Sequence, residues 1–247
     1  TYIKTNDMSN TIDWGKIHYN SWSPETNLTG TGATPSFANT KSILLDGIDD
    51  YVDLGTNSNL AFSGARSMSV WLKFTDNGGT RYVANFNSDK QGIYTSSGKV
   101  YFFNRNSSNN FLTIGTTNTY NDGQWHNFIG INDGTNLKMY VDGVLNNSNT
   151  NGSTGNTGLS TQRIGARWNG DNVFSGLMDE LSYYDSDISA NASAIGSTTP
   201  TDLTPYSPLG WWRMGDGDAS PIIVDNGSGG NDGTMTNFTT FSTDVPT

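Results

Sequence analysis

The sequence predicts an all-β fold of antiparallel strands, and three observations carry that reading. Apolar and polar residues alternate in short runs, which is the period of a half-buried strand and not of a helix. Clusters of Gly, Asn, Asp and Ser separate the runs, and 29 glycines in 247 residues supply turns throughout. One stretch, QWHNFIGINDGTNLKMYVDGVL from Gln124 to Leu145, spells out a hairpin. In it Trp125, Asn127, Ile129 and Ile131 share one face, and Leu137, Met139 and Val141 alternate with Lys138 and Tyr140. Asn132 to Asn136 forms the first turn. Asp142-Gly143 forms the second, because Asp-Gly accepts positive φ cheaply. A third strand is expected from Val144. A hairpin of this kind needs a surrounding sheet and a second layer over its apolar face.

The remaining elements follow in chain order. Residues 1–41 are polar but carry Trp14, Tyr19 and Trp22, so they are expected to form an arm docked on the main domain or on a neighbouring subunit. Ile43 to Leu45 and Tyr51 to Leu54 read as strands around the acidic turn Asp46 to Asp50. SMSVWLKF puts Met68, Val70, Leu72 and Phe74 on one face and Trp71 on the other. RYVANFN, GIYTSSGKVYFFN and NNFLTIGT are short strands. Asn146 to Ser160 reads as a polar loop, and QRIGARW and FSGLMDELSYY as two more strands. The nearest thing to a helix is Asp187 to Ile195, one or two turns long.

Composition bounds the partners. With 23 acidic against 13 basic residues the formal net charge is −10, which repels nucleic acid and suits divalent cations. There is no cysteine, so disulfides and thiolate metal sites are excluded. No leader or membrane-spanning stretch is legible, and no membrane insertion is expected.

The joint order of LDGIDDYVDLG, SMSVWLKF, the DGQWHNFIGIND hairpin, RIG and FSGLMDELSYYDSDIS resembles the laminin G-like domains of the concanavalin A-like lectin/glucanase superfamily, in the form seen in environmental phage proteins. The resemblance covers residues 42–195. It implies a jelly-roll sandwich of two antiparallel sheets over residues 42–197, which the strand pattern independently permits. One departure concerns the opening strands of such domains. Their pattern stands here at the end of the chain, as GWWRMGDGD (Gly210 to Asp218) and IIVDNGSGGNDGTM (Ile222 to Met235). Residues 198–247 are therefore expected to be a connector and C-terminal strands completing the same sandwich. A truncated second copy and exchange between subunits are the alternatives.

Four carboxylates are the metal candidates: Asp46, Asp49 and Asp50 in the acidic turn, and Asp179, which alternates in phase with Leu177, Leu181 and Tyr183. The resemblance implies a structural calcium near these elements, and calcium takes six to eight oxygens. The blander reading is that they are turn residues and hydrogen-bond acceptors. The laminarinase-type branch of the superfamily carries E-x-D-x-E on one strand, a spacing that sets acid and nucleophile on one face. That motif is absent. Asp179-Glu180 are adjacent and expected on opposite faces, so hydrolysis is not expected. Trp168, with Asn169 and Asp171 beside it, offers a ring for sugar C–H groups and polar atoms for hydroxyls. Tyr94 is a second candidate of that kind. The alternative is that Trp168 folds back on the sandwich edge.

The expected function is a non-catalytic, extracellular carbohydrate-binding or adhesion module, located outside the cell or on a virion surface. Its partners would be a glycan or cell-surface polysaccharide, and further copies of itself or other virion or surface proteins. The alternative is a structural decoration, fibre or sheath subunit of a phage particle, and a glycoside hydrolase comes third.

Overall fold

A computed structural model of the protein describes residues 37–61, 63–153, 155 and 158–247. The aromatic anchors Trp14, Tyr19 and Trp22, and with them most of the expected N-terminal arm, lie outside the described residues. The strands are β1 (Ile43–Asp46), β2 (Tyr51–Gly55), β3 (Arg66–Lys73), β4 (Arg81–Phe86), β5 (Gln91–Ser96), β6 (Lys99–Arg105), β7 (Phe111–Gly115), β8 (His126–Asn132), β9 (Leu137–Val141), β10 (Val144–Asn149), β11 (Gln162–Ile164), β12 (Ser175–Tyr184), β13 (Gly210–Trp212), β14 (Ile222–Ile223) and β15 (Gly233–Thr236). One short helix, α1 (Ala192–Ile195), falls where the sequence suggests a helical turn or two.

The strands make two antiparallel sheets. The first runs β1-β12-β3-β8-β9-β10, with β13 also on β12, and the second runs β14-β15-β2-β11-β4-β5-β6-β7. This is the jelly-roll sandwich expected from the sequence. Alternation decides what lies between the sheets. Val70, Leu72, Phe128, Met139 and Val141 from the first sheet meet Val52, Ile93, Phe102 and Ile164 from the second. The other face of the first sheet is also covered. Ile129 and Ile131 pack there with Tyr184, Trp211 and α1 residues Ala192 and Ile195. The hairpin that anchors the sequence reading thus buries both faces of β8. Its second turn adopts left-handed φ at Asp142 (49°) and Gly143 (74°), as Asp-Gly permits.

The C-terminal segment contributes to both sheets. β13 pairs with β12 through Leu181↔Trp212 and Ser182↔Trp211, while β15 pairs with β2. Successive residues of β13 point to opposite faces, so Trp212 enters the inter-sheet core and Trp211 lies outside, stacked on Phe37 at 6.1 Å. The Trp212 indole N–H donates to the Asn231 carbonyl at 2.9 Å. The buried Asp225 accepts from the backbone N–H groups of Trp211, Gly227 and Asn231, tying the segment together.

Asn146 to Asn149, read from sequence as loop, is the far half of β10. Its residues are polar because their side chains reach across to the edge of the other sheet. Asn147 and Asn149 donate their amides to the β7 carbonyls of Gly115 (2.8 Å) and Thr113 (3.3 Å), and Asn146 accepts from the Thr117 N–H.

Candidate functional site

On β4 to β7 the alternation that sends Ile93, Val100 and Phe102 inward sends a second set of rings outward. Tyr82, Tyr94, Tyr101, Phe103 and Phe111 form a continuous aromatic layer on the outer face of the second sheet. Tyr94 and Tyr101, directly opposite in register, stack at 4.8 Å with planes 6° apart. Tyr94 lies 6.0 Å from Tyr82 and 5.8 Å from Phe103, and Phe103 stacks on Phe111 at 5.1 Å. Two glycines let the rings lie flat. A Cβ on Gly92 would strike the Phe103 ring, and one on Gly115 would strike the Tyr101 ring. Phe111 is 41% exposed, while Tyr94 and Tyr101 are half-buried. Burial raises the Tyr94 hydroxyl above its ordinary pKa, and burial with the nearby Asp89 charge pushes Tyr82 up to about 12, so both remain neutral O–H groups.

The Trp168 loop joins this layer at its Tyr82 end. The link is Asp89, at the end of a turn in which Asn87, Ser88 and Asp89 all take left-handed φ (57°, 52°, 64°). Three such residues in succession are unfavourable for L-amino acids, and Asn and Asp tolerate them best. Side-chain bonds hold the turn. Asn87 donates to the Leu60 carbonyl, and Asn85 donates to Asp89 at 2.7 Å. Arg167 grips Asp89 with Nε (3.1 Å) and Nη2 (2.6 Å), and its guanidinium sits 5.9 Å from the Tyr82 ring centroid. Trp168 also lies near enough to Asp89 to help lower its pKa. Burial works to raise the Asp89 pKa, but the bonds from Arg167 and Asn85 outweigh it and hold the carboxylate ionised. Trp168 is 39% exposed, and the Asn169 amide donates to Asp171 at 2.8 Å. Trp168, Asn169, Asp171 and Tyr94 therefore occur along one surface, bridged by Tyr82, Asp89 and Arg167. Sequence reasoning missed those bridging residues together with Tyr101, Phe103 and Phe111. The period of two in KVYFFN carries the signal, since Val100 and Phe102 supply the core and leave Tyr101 and Phe103 on the outer face.

The four candidate metal ligands do not form one site. Asp46, Asp49 and Asp50 each offer an oxygen within 4.8 Å of the others, with Asp50 buried and the other two exposed. Asp50 has a raised pKa, from burial first and then from the charges of Asp46 and Asp49. A cation would relieve that repulsion, so this donor set fits a hard divalent ion. Part of the set is also spent on the turn itself, for Asp46 accepts from the Ile48 N–H and Asp50 from the Asp46 N–H. Asp179 stands apart. Register puts Asp46 opposite Ser175, four residues from Asp179 along β12, or about 13 Å at strand rise.

The surroundings of Asp179 also correct its phase. Between Asp179 and Ser182, β12 carries one more residue than β3 does between Trp71 and Ser69, and Glu180 takes φ 48°. This bulge resets the alternation. Asp179 lies opposite Trp71 on the outer face, whereas Leu181 and Tyr183 point into the core. For the same reason Asp179 and Glu180 are not directed to opposite sides of the sheet. Both are buried beneath residues 37–41 and close enough to interact: Asp179 accepts from Asn39 at 3.0 Å, and Glu180 from Trp211 Nε1 at 2.5 Å and Arg213 Nε at 3.1 Å. Burial raises both carboxyls.

A two-sheet antiparallel sandwich of this strand order defines a jelly-roll protein of the concanavalin A-like class. The chain belongs to the concanavalin A-like lectin/glucanases superfamily, whose laminin G-type sequence model matches residues 46–192. Solved structures share the fold at low identity. A Bacteroides ovatus protein proposed to bind carbohydrate matches with TM-score 0.64 and 15% identity over 84% of this chain, which spans 61% of that protein's length. The heptameric SAP-like pentraxin of Limulus polyphemus matches with TM-score 0.52 and 16% identity, over 66% of this chain and 84% of its own. Domain 4 of an extracellular arabinanase from Geobacillus stearothermophilus, solved with arabinotriose, matches with TM-score 0.52 and 23% identity, over 63% of this chain and 76% of its own. No curated protein sequence matches.

Proposed function

We propose that the protein is a non-catalytic carbohydrate-binding module acting in an extracellular or virion-surface setting, and that it holds its glycan on the outer face of β4 to β7. The observation that carries this reading is the partly exposed set Tyr94, Tyr101 and Phe111, packed on the buried Phe103 and flanked by the Trp168 loop. Sugar rings present C–H faces to aromatic rings and hydroxyls to directional polar groups. Tyr94 Oη, Asn169 and Asp171 supply such groups here. The carbohydrate-binding relatives of the fold support the reading. The non-catalytic part rests on the adjacent buried acids Asp179 and Glu180, whose carboxylates are engaged by Asn39, Trp211 and Arg213. We further propose that Asp46, Asp49 and Asp50 hold a calcium ion, which would neutralise the turn and brace the start of β2.

Binding to a panel of immobilised plant, algal and bacterial polysaccharides tests the proposal. Tyr94→Ala and Trp168→Ala are expected to weaken retention by roughly tenfold each, about 1 to 2 kcal/mol per aromatic contact, with the native circular dichroism retained and no sugar released. Undiminished retention in both variants, or release of reducing sugar by pure protein, counts against it.

A further inference from the structure

The aromatic layer ends at Phe111, and there the charges are unusual for this chain. Lys90, in the turn just before β5, lies beside Arg105 at the end of β6, one step beyond the Gln91↔Asn104 pair, with the Arg105 N–H donating to the Lys90 carbonyl at 2.7 Å. Like charges so placed repel. The usual remedy is a neighbouring carboxylate, and with 23 acidic residues against 13 basic ones this protein has carboxylates to spare. Arg163, Arg167 and Arg213 each meet one. Lys90 and Arg105 have no carboxylate partner among the described residues. Arg105 gives Nε to the Asp89 carbonyl (3.0 Å) and Nη1 to the Asn109 carbonyl (2.9 Å), and Lys90 gives Nζ to the Asn109 amide oxygen (2.8 Å). All three acceptors are neutral. The Arg105 guanidinium is held 5.3 Å from the Phe111 ring centroid, so the cation and the exposed ring face the same space.

We propose that the glycan is acidic, and that Lys90 and Arg105 take its carboxylate or sulfate group while the adjoining sugar ring stacks on Phe111 and Tyr94. This rests on the carbohydrate-binding reading above and adds to it a charge class and a direction. The anionic residue sits at the Phe111 end, and neutral hydroxyls lie toward Trp168, where Asp171 would repel an anion. The Arg105 N–H groups not given to Asp89 and Asn109, beside the Lys90 ammonium, can donate to the oxygens of either anion. In a protein of net charge −10 these cations are also where an approaching polyanion would find its attraction.

Affinity measurements with two matched pairs of probes test the idea: oligogalacturonate against its methyl ester, and a carrageenan oligosaccharide against its desulfated form. Wild type is expected to favour the charged member of at least one pair by roughly tenfold or more, with the preference shrinking as salt rises. A preference in the first pair identifies carboxylate, and one in the second identifies sulfate. Lys90→Gln with Arg105→Gln should bring the charged probe down to the affinity of its neutral partner, at unchanged melting temperature, and Arg105→Lys should restore part of the difference. Equal affinity for charged and neutral members, with binding still lost on Tyr94→Ala, overturns the acidic-ligand proposal and leaves the glycan reading standing. A charge preference that survives the double substitution overturns it too. Failure of all four probes to bind, together with indifference of the polysaccharide panel to Tyr94→Ala, removes both.

Discussion

Replacing Trp212 by alanine probes whether residues 198–247 are integral to the sandwich. Trp212 has no exposed surface, packs edge-on to Phe86 at 6.2 Å, and donates its indole N–H to the Asn231 carbonyl. Truncating a buried tryptophan costs about 3 to 5 kcal/mol through lost transfer energy and the cavity left behind. The broken hydrogen bond strands a carbonyl and adds about 1 kcal/mol. The lower end of the sum, about 4 kcal/mol, is already a large share of the 5 to 15 kcal/mol typical of a domain. Urea unfolding followed by far-UV circular dichroism reads it directly. With a slope of about 2 kcal/mol per molar, the midpoint should fall by roughly 2 M. Trp212→Phe, which keeps a six-membered aromatic ring but loses the pyrrole portion with its N–H, should cost less than Trp212→Ala. A midpoint within about 0.3 M of wild type for Trp212→Ala, on the same slope scale, would refute the reasoning. It would mean that the C-terminal segment is not seated in the core in solution.

Two further outcomes are expected. His126 lies between Asp142 (Nδ1, 2.8 Å) and Asp122 (Nε2, 3.4 Å), and the bond to Asp142 raises its pKa despite burial. A raised folded-state pKa stabilises the protein fully below the ordinary histidine value of about 6.5 and ceases to do so as pH climbs through the folded value; His126→Gln should flatten that part of the melting-temperature profile between about pH 6 and 8, and an identical profile would exclude the linkage. Calcium bound by the acidic turn should raise the melting temperature by mass action, and chelator should reverse the effect; Asp49→Asn with Asp50→Asn should abolish the response and Asp179→Asn should not, whereas a melting curve indifferent to chelator rules the site out.

The fold was legible because its determinants are local. The alternation in Leu137 to Val141, the Asp142-Gly143 turn and the inward set of SMSVWLKF all follow from residues within a few positions of one another. The candidate site was legible in part, and for a physical reason. Trp168 and Tyr94 could be singled out as aromatic residues in polar settings, but their meeting on one face depends on Asp89, far from Arg167 in sequence. The bulge at Glu180 was not legible, because a single residue at φ 48° leaves no mark on composition yet reverses the phase of everything after it. Asn146 to Asn149 misled for a related reason. Its polar residues look like a loop because a strand normally shows itself by what it buries, and this one is held by what its side chains donate.

That row of asparagines has a consequence for how molecules of this protein meet each other. A free sheet edge is a template on which another chain can grow a strand, and the usual protections are charge, proline or a covering loop. Here the carbonyls of Gly115 and Thr113, which such an incoming strand would need, are already engaged by Asn147 and Asn149. The stitch joins the last strand of one sheet to the last strand of the other, so each border blocks the other without the curvature that backbone closure into a barrel demands. Copies of this chain brought close together would gain from this arrangement, because these two borders are blocked from fusing into a fibril.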